Sequence, residues 1–155
     1  MNSPYNIGSA YIALTRGMNM NFDLTAEQEM IKKMIREFSD EVVAPGSIDR
    51  DRNKQFPVEV FKQLSEMGIM GLPFAEEYGG GGADTVSFAI VTEELSRACA
   101  STGITYSAHI SLGGAPLNLF GTKEQKHKYL TPICTGESFG AFGLTEPNAG
   151  SDAAG

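Results

Sequence analysis

The sequence has few of the residues that mark nucleic-acid-binding and membrane proteins. Among its 155 residues, 12 are Lys or Arg and 19 are Asp or Glu, which gives a net charge of −7. Because nucleic acids require a basic surface, this balance argues weakly against them, although it allows a local basic spot for a phosphorylated ligand. No apolar run approaches the ~20 residues that a membrane-spanning helix needs.

Cysteine is scarce, and the common catalytic motifs are missing. Cys99 and Cys134 lie far apart, outside any CxxC motif and without a histidine at metal-binding spacing. This usage favours a reduced, cytoplasmic compartment and predicts no metal site. The sequence contains neither a GxGxxG motif nor a Ser-His-Asp arrangement, so it does not predict a common hydrolase or dinucleotide site.

Residues 1–20 differ from the rest of the chain. They contain no acidic residue and a single base, Arg16. They have neither the apolar core of a signal peptide nor the several arginines of a transit peptide. Met20-Asn-Phe-Asp-Leu-Thr25 forms a natural start, so we interpret residues 1–20 as a disordered leader or a mis-start segment and exclude them from fold prediction.

Residues 21–137 predict a mostly α fold, a bundle of about five helices. Two capping boxes, Thr25 with Gln28 and Thr122 with Gln125, mark the starts of the first and last helices. Apolar residues within these helices recur at spacings of three and four, which is typical of an amphipathic helix. The other expected boundaries are an end near Pro45-Gly46, a start at Pro57, an end at Gly68, a start at Thr85 and a break at Ser101-Thr102-Gly103.

The fourth predicted helix, residues 104–120, is apolar or small on nearly every side and is therefore expected to be buried. Its polar side chains, among them Tyr106 and His109, then need partners. Gly113-Gly114 and Pro116 should bend this helix. A lone histidine in such a setting is more often a satisfied core residue than a catalyst.

Two glycine-containing stretches leave alternatives open. Residues 79–82 are four glycines that could cradle a phosphate, but the P-loop Lys-Ser/Thr is missing, and a plain flexible turn is the simpler interpretation. Residues 138–144 leave the helical period and predict a short strand, which Pro147 would end. Asn148 to Asp152 can form either an anion-binding turn or an ordinary β-turn with Asp152 as its cap.

Residues 144–155, Leu-Thr-Glu-Pro-Asn-Ala-Gly-Ser-Asp-Ala-Ala-Gly, resemble the flavin-site signature of the acyl-CoA dehydrogenases. We call them the signature segment. Other segments resemble the family in order and spacing: 22–28, 67–72 and 120–130. Ser107-Ala-His-Ile-Ser-Leu-Gly113 is most similar to the bacterial short-chain, butyryl-CoA type. The resemblance covers the chain from about residue 20 onward.

The resemblance implies a domain organisation and a set of binding residues. Residues 21–137 would be an N-terminal helical domain, and residues 138–155 the truncated start of a middle β domain. The full-length protein would be a homo-oligomer that binds FAD between its domains. The implied FAD-binding residues are Phe142, Leu144 and Thr145 at the flavin ring, and Gly150 and Ser151 at the diphosphate. The implied acyl-CoA-binding residues are Ser151, Tyr106 and His109.

The reaction implied is α,β-dehydrogenation of a short-chain acyl-CoA thioester, with electrons passed to an electron-transfer flavoprotein. In the family a glutamate from the C-terminal domain removes the α-proton, and the hydride passes to FAD. We assign no catalytic residue here, because Glu146 belongs to the binding signature, and we expect the chain alone to be inactive. Two alternatives stay open: a non-catalytic helical interaction module derived from this fold, and a flavin monooxygenase or oxidase relative.

Overall fold

The computed structural model describes residues 21–153, so the leader predicted over residues 1–20 lies outside the described range. The α-helices are α1 (Ala26–Phe38), α2 (Ser47–Arg52), α3 (Val58–Glu66), α4 (Thr85–Ala98), α5 (Ala100–Ala108), α6 (Ala115–Phe120), α7 (Lys123–Gln125) and α8 (Thr131–Cys134). π-helical turns join several of them: Ser39–Val43, His109–Gly114 and Lys126–Leu130. Short 3-10 turns occur at Ala44–Gly46 and Glu76–Tyr78.

These turns merge the shorter helices into five helical stretches, which span 26–52, 58–66, 85–98, 100–120 and 123–134. The predicted mostly α fold of about five helices is therefore confirmed. Helix α4 packs against α1 on one side and against α5 on another. None of the helices within residues 21–153 has both the length and the apolar content to cross a membrane.

Both predicted capping boxes form. The Thr25 hydroxyl accepts a hydrogen bond from the Gln28 amide at 3.2 Å, and the Gln28 side chain accepts one from the Thr25 amide at 2.9 Å. Gln28 also donates to the carboxylate of Asp84 at 2.7 Å, and Asp84 is the N-cap of α4. The starts of α1 and α4 are thus tied together by the residues that cap them.

Two predicted boundaries are wrong. The first helical stretch, expected to end near Pro45-Gly46, continues to Arg52 as α2, because the π and 3-10 turns carry the helical path past Pro45. The break expected at Ser101-Thr102-Gly103 lies at Cys99, whose backbone is extended. Gly103 sits inside α5 because that helix packs closely on α4: a β-carbon there would overlap the Ser96 side chain.

The predicted burial of residues 104–120 holds for one face only. Tyr106, His109 and Ile110 are buried against the core. Ile104 and Phe120 are 65% and 85% exposed, because no part of the described chain packs over their side of the helical stretch. The helical stretch 104–120 therefore has two apolar sides. One packs against the core, and the other is left exposed by residues 21–153.

The four glycines at residues 79–82 form a hydrogen-bonded turn. The amide of Gly81 donates to Gly71 at 3.2 Å, and that of Gly82 donates to Phe74 at 2.8 Å. Gly79 has a left-handed backbone, with φ of 83°, which explains the preference for glycine there. Since these amides are already bonded, the turn is not arranged as a phosphate cradle.

The short strand predicted at residues 138–144 does not form within the described chain. The β pairing in the described chain is one antiparallel bridge further along, between Glu146 and Ala149. A strand needs a neighbouring strand to accept and donate its backbone hydrogen bonds. Residues 138–142 instead lie against helical residues, where no such ladder is available.

Candidate functional site

Residues 139–142, which we call the bridging segment, separate two apolar grooves. The first groove has a volume of about 520 Å³ and lies between this segment, the end of the π turn at Gly113 and the residues around Tyr129. The second groove, of about 430 Å³, lies between the same segment, Phe56 and α5. Leu112 and Phe142 line both grooves, so a shift of the bridging segment would change both volumes.

The two grooves contain few charged groups. Lys128 is the charged residue among those lining the first groove, and it lies 5.0 Å from the centre of the Tyr129 ring. The residues lining the second groove are uncharged. Apolar walls with a small number of polar groups are typical of sites that take a small molecule.

Phe139 attaches the bridging segment to the surface of the core. Its ring meets the ring of Phe56 edge-on at 5.2 Å and that of Phe61 edge-on at 5.3 Å. Edge-to-face aromatic pairs of this kind stabilise contacts beyond simple burial. Phe61 belongs to α3 and is 1% exposed, so the segment is attached to a well-packed part of the fold.

His109 holds the other side of the bridging segment. Its Nδ1 accepts a hydrogen bond from the Gly140 amide at 3.0 Å, and its Nε2 lies 3.1 Å from the carbonyl oxygens of both Met70 and Ile133. The ring is 1% exposed. Burial lowers the pKa of His109, and the two carbonyl contacts oppose this effect only in part, so the ring is neutral at pH 7.

Tyr106 is buried completely and donates a hydrogen bond to the Ile69 carbonyl at 3.2 Å. Burial raises the pKa of its phenol, so it is protonated at neutral pH. Neither Tyr106 nor His109 is among the residues that line the two grooves. Their contacts satisfy core polar groups, and they give no support to the predicted acyl-CoA-binding role of these two residues.

The described part of the signature segment is a reverse turn at the surface. The amide of Glu146 donates to Ala149 at 2.8 Å, and the amide of Ala149 donates to Glu146 at 3.2 Å. Thr145, Gly150 and Ser151 are all exposed. Their predicted roles at FAD stay predictions, because none of the three contacts either groove.

The two predicted ring-binding residues with large side chains are placed differently. Phe142, half exposed, lines both grooves. Leu144 is 55% exposed and is not among the residues that line either groove. The structure therefore brings one predicted flavin-binding residue to the grooves and leaves the others on the adjoining surface.

Several groove residues were not predicted from the sequence, notably Phe56, Tyr129 and Phe139. Each looked like an ordinary core or surface residue, because the groove is formed by segments that are distant in the chain. Within residues 21–153, no group of three or more His, Cys, Asp or Glu side chains is arranged to hold a metal ion.

Residues 25–137 match the family model described as acyl-CoA dehydrogenase, N-terminal domain. The match covers most of the chain and includes every helix described above. The helical fold, the turn that holds Gly79 to Gly82 and the two capping boxes all lie within it. The chain belongs to the acyl-CoA dehydrogenase N-terminal domain family.

Individual relatives agree with this assignment. The short-chain-specific acyl-CoA dehydrogenase of Clostridium acetobutylicum is 50% identical over 133 residues, which is 86% of this chain and 35% of that protein. A chain in the solved structure of the electron transferring flavoprotein of Acidaminococcus fermentans is 47% identical with a TM-score of 0.83, and the match covers 87% of this chain and 36% of that one.

The acyl-CoA dehydrogenase of Bacillus anthracis, solved in complex with FAD, is 41% identical with a TM-score of 0.74. The match covers 85% of this chain and 23% of that one. The chain thus spans about a third of the length of the Clostridium acetobutylicum relative and about a quarter of the length of the Bacillus anthracis chain.

Proposed function

We propose that this chain serves as the N-terminal part of an FAD-dependent acyl-CoA dehydrogenase that acts on short-chain acyl-CoA thioesters. One observation carries the proposal: the bridging segment puts Phe142 into two apolar grooves and leads directly to the signature segment. FAD, when bound, supplies the hydride acceptor for α,β-dehydrogenation. The groove walls are suited to exclude water from apolar ligand groups.

The residues present fit a flavin with its diphosphate. The wide groove beside Phe142 is apolar, as the flavin ring and a short acyl chain require. The hydroxyl groups of Thr145 and Ser151, which follow Phe142 in the chain, are exposed and can donate to a ligand. Apart from the two residues next to it in the chain, no part of the described chain lies within 4 Å of the position that a β-carbon on Gly150 would take, so a ligand can approach this backbone closely.

In this role no residue of the chain acts as the base. Glu146 is exposed in the turn, and its backbone closes that turn. We propose that the chain's residues bind and orient, while the α-proton is removed by a carboxylate supplied from outside these 155 residues. The chain alone is then inactive towards butyryl-CoA even where it binds FAD.

The test is an FAD titration of the chain itself and of the chain extended by any coding sequence that follows Gly155. Thr145→Ala and Ser151→Ala should each weaken FAD binding about tenfold, since each removes a hydrogen bond to a charged or polar ligand group. Thr85→Ala is the matched control, because Thr85 is also exposed but lies at the start of α4, away from the signature segment in the chain. Absence of FAD binding by both proteins would overturn the proposal.

We further propose an electron-transfer flavoprotein as the electron acceptor, a homo-oligomer as the assembled state and the cytoplasm as the location. The likeness to a chain in an electron transferring flavoprotein structure supports the first of these. A reduction assay with butyryl-CoA and purified electron-transfer flavoprotein tests it. Electron transfer to oxygen in place of that acceptor would favour a flavin oxidase or monooxygenase relative.

A second function is favoured by the uncovered apolar side chains of residues 104–120. Ile104, Leu119 and Phe120 are 65%, 69% and 85% exposed. Exposed apolar groups of this size are typical of an interaction surface, so a helical interaction module without flavin chemistry is the competing proposal. It predicts a well-folded chain that binds neither FAD nor butyryl-CoA, and the titration above distinguishes the two.

A further inference from the structure

The hydrogen bonds of His109 fix its tautomer. Carbonyl oxygens only accept hydrogen bonds, so the Nε2 atom that lies 3.1 Å from the Met70 and Ile133 oxygens must carry the proton. Nδ1 is then unprotonated and accepts from the Gly140 amide at 3.0 Å. Both nitrogen atoms of this buried ring therefore have hydrogen-bond partners. Only Nδ1 bonds to the bridging segment, through Gly140.

The backbone of Gly140 lies directly on the π turn that carries His109. A β-carbon on Gly140 would be 2.9 Å from the Gly113 α-carbon and 2.9 Å from the His109 carbonyl oxygen. A β-carbon on Gly113 would in turn overlap the Gly140 α-carbon. This approach leaves no room for water, and the Gly140 amide has Nδ1 of His109 as its partner there.

We propose that His109 is a positioning residue, which holds Gly140 against the π turn and thereby sets the place of Phe142 between the two grooves. This inference rests on the proposed function for its consequence, since Phe142 is taken there to line the flavin site. His109 does not contact the ligand in this role. It acts through the backbone of the bridging segment.

A purely structural role makes a different prediction. If His109 only fills the core, any variant that keeps its volume and its bonds to Met70 and Ile133 should behave like the wild type. If it positions the segment, the bond from Nδ1 to Gly140 is the one that matters. The bonds to Met70 and Ile133 are made by Nε2, and the bond to Gly140 is made by Nδ1. Each can therefore be removed without the other.

Two substitutions separate them. The side-chain oxygen of asparagine can take the place of Nδ1, so His109→Asn keeps an acceptor for Gly140 and loses the donor to the two carbonyl groups. The longer side chain of glutamine reaches the place of Nε2, so His109→Gln keeps the donor and loses the acceptor. His127→Gln is the matched control, because His127 is exposed and lies outside both grooves.

Amide hydrogen exchange of Gly140, measured by NMR on the 155-residue chain without flavin, is the first readout. His109→Gln should speed the exchange of this amide about tenfold, the loss expected for one hydrogen bond, while His109→Asn and His127→Gln stay within about twofold of the wild type. Equal exchange in His109→Gln and the wild type would overturn the inference. Should His109→Gln not fold, Gly113→Ala, which pushes Gly140 away, must give the same faster exchange.

FAD affinity is the second readout, measured on the same variants in whichever protein length binds FAD. FAD should bind more weakly to His109→Gln than to the wild type. His109→Asn should bind FAD about as tightly as the wild type does. Wild-type affinity in His109→Gln would overturn the positioning role and leave the proposed function standing. If the wild type itself binds no FAD, the proposed function fails, and the Gly140 exchange rates alone then decide whether His109 holds the segment.

Discussion

The carboxylate of Glu94 receives two parallel hydrogen bonds from Arg36, at 3.0 and 2.7 Å, although the two residues belong to different helices. The Glu94 side chain is 1% exposed. Arg97 donates to the same carboxylate at 3.1 Å and to Asp40 at 2.7 Å. These charges join α4 to α1 and to the π turn that follows it.

Replacement of Glu94 should therefore destabilise the fold. Glu94→Gln leaves two arginines without their shared carboxylate and should lower the free energy of unfolding by about 1–3 kcal/mol. We expect less than the cost of breaking a fully buried pair, because the Arg36 and Arg97 side chains are 51% and 43% exposed. Urea unfolding at pH 7 measures the change. Glu93→Gln, next to it in the sequence but less buried, is the control and should change little.

The stability of the chain should fall as the pH drops below about 6.5, because of His109. Burial lowers the pKa of His109 in the folded protein, so the unfolded chain binds more protons in this range. The contribution is fully present above the unfolded pKa and is lost as the pH falls through the folded pKa, with a slope of at most about 1.4 kcal/mol per pH unit.

Urea unfolding of the wild type and of His109→Asn at several values between pH 5 and pH 7 isolates this effect. The difference in stability between the two proteins should shrink towards low pH, since asparagine does not titrate. A constant difference across the range would show that His109 is not the group responsible. Glu94 does not interfere: burial alone would raise its pKa, but the hydrogen bonds from Arg36 and Arg97 outweigh this and lower it.

Gly80 should not tolerate a side chain. A β-carbon at this position would overlap the carbonyl oxygen of Phe74, which is backbone and cannot rotate away. Gly80→Ala should therefore lower the free energy of unfolding by about 1–3 kcal/mol. Gly143→Ala is the matched control, since no part of the described chain apart from its two chain neighbours would lie within 4 Å of its β-carbon, and it should stay within about 1 kcal/mol of the wild type.

The parts of the fold that depend on local hydrogen bonds were predictable from the sequence. Each capping box needs only residues that are three positions apart, so Thr25 with Gln28 and Thr122 with Gln125 could be read directly. Gly68 ends α3 with a left-handed backbone, as its position after Met67 indicated. In each case the partner atoms lie within one turn of helix.

The features that depend on distant partners were not predictable. Gly103 looked like a helix breaker, and only the packing of α5 on Ser96 explains why it lies inside a helix. The grooves bring Phe56, Leu112 and Phe142 together from three separate parts of the chain. The bond between His109 and Gly140 likewise joins residues whose proximity no local pattern encodes.

The two cysteines should differ strongly in reactivity. Cys99 is partly exposed at the N-cap of α5, where burial alone would raise the pKa of its thiol. Hydrogen bonds from Ser101 and Thr102 outweigh that effect and lower the pKa to about 7. Cys134 is 2% exposed, and burial raises its pKa to about 11.

Since the thiolate is the nucleophile, iodoacetamide at about pH 7.5 should alkylate Cys99 at least roughly tenfold faster than Cys134 in the folded protein. Peptide mass spectrometry over a time course measures both rates, and the Cys99 rate should rise through pH 7 and then level off. Cys99→Ser should remove the fast phase and leave the slow one. In urea, where the fold no longer separates the two environments, the rates should converge, which ties the difference to the N-cap of α5 and not to the local sequence.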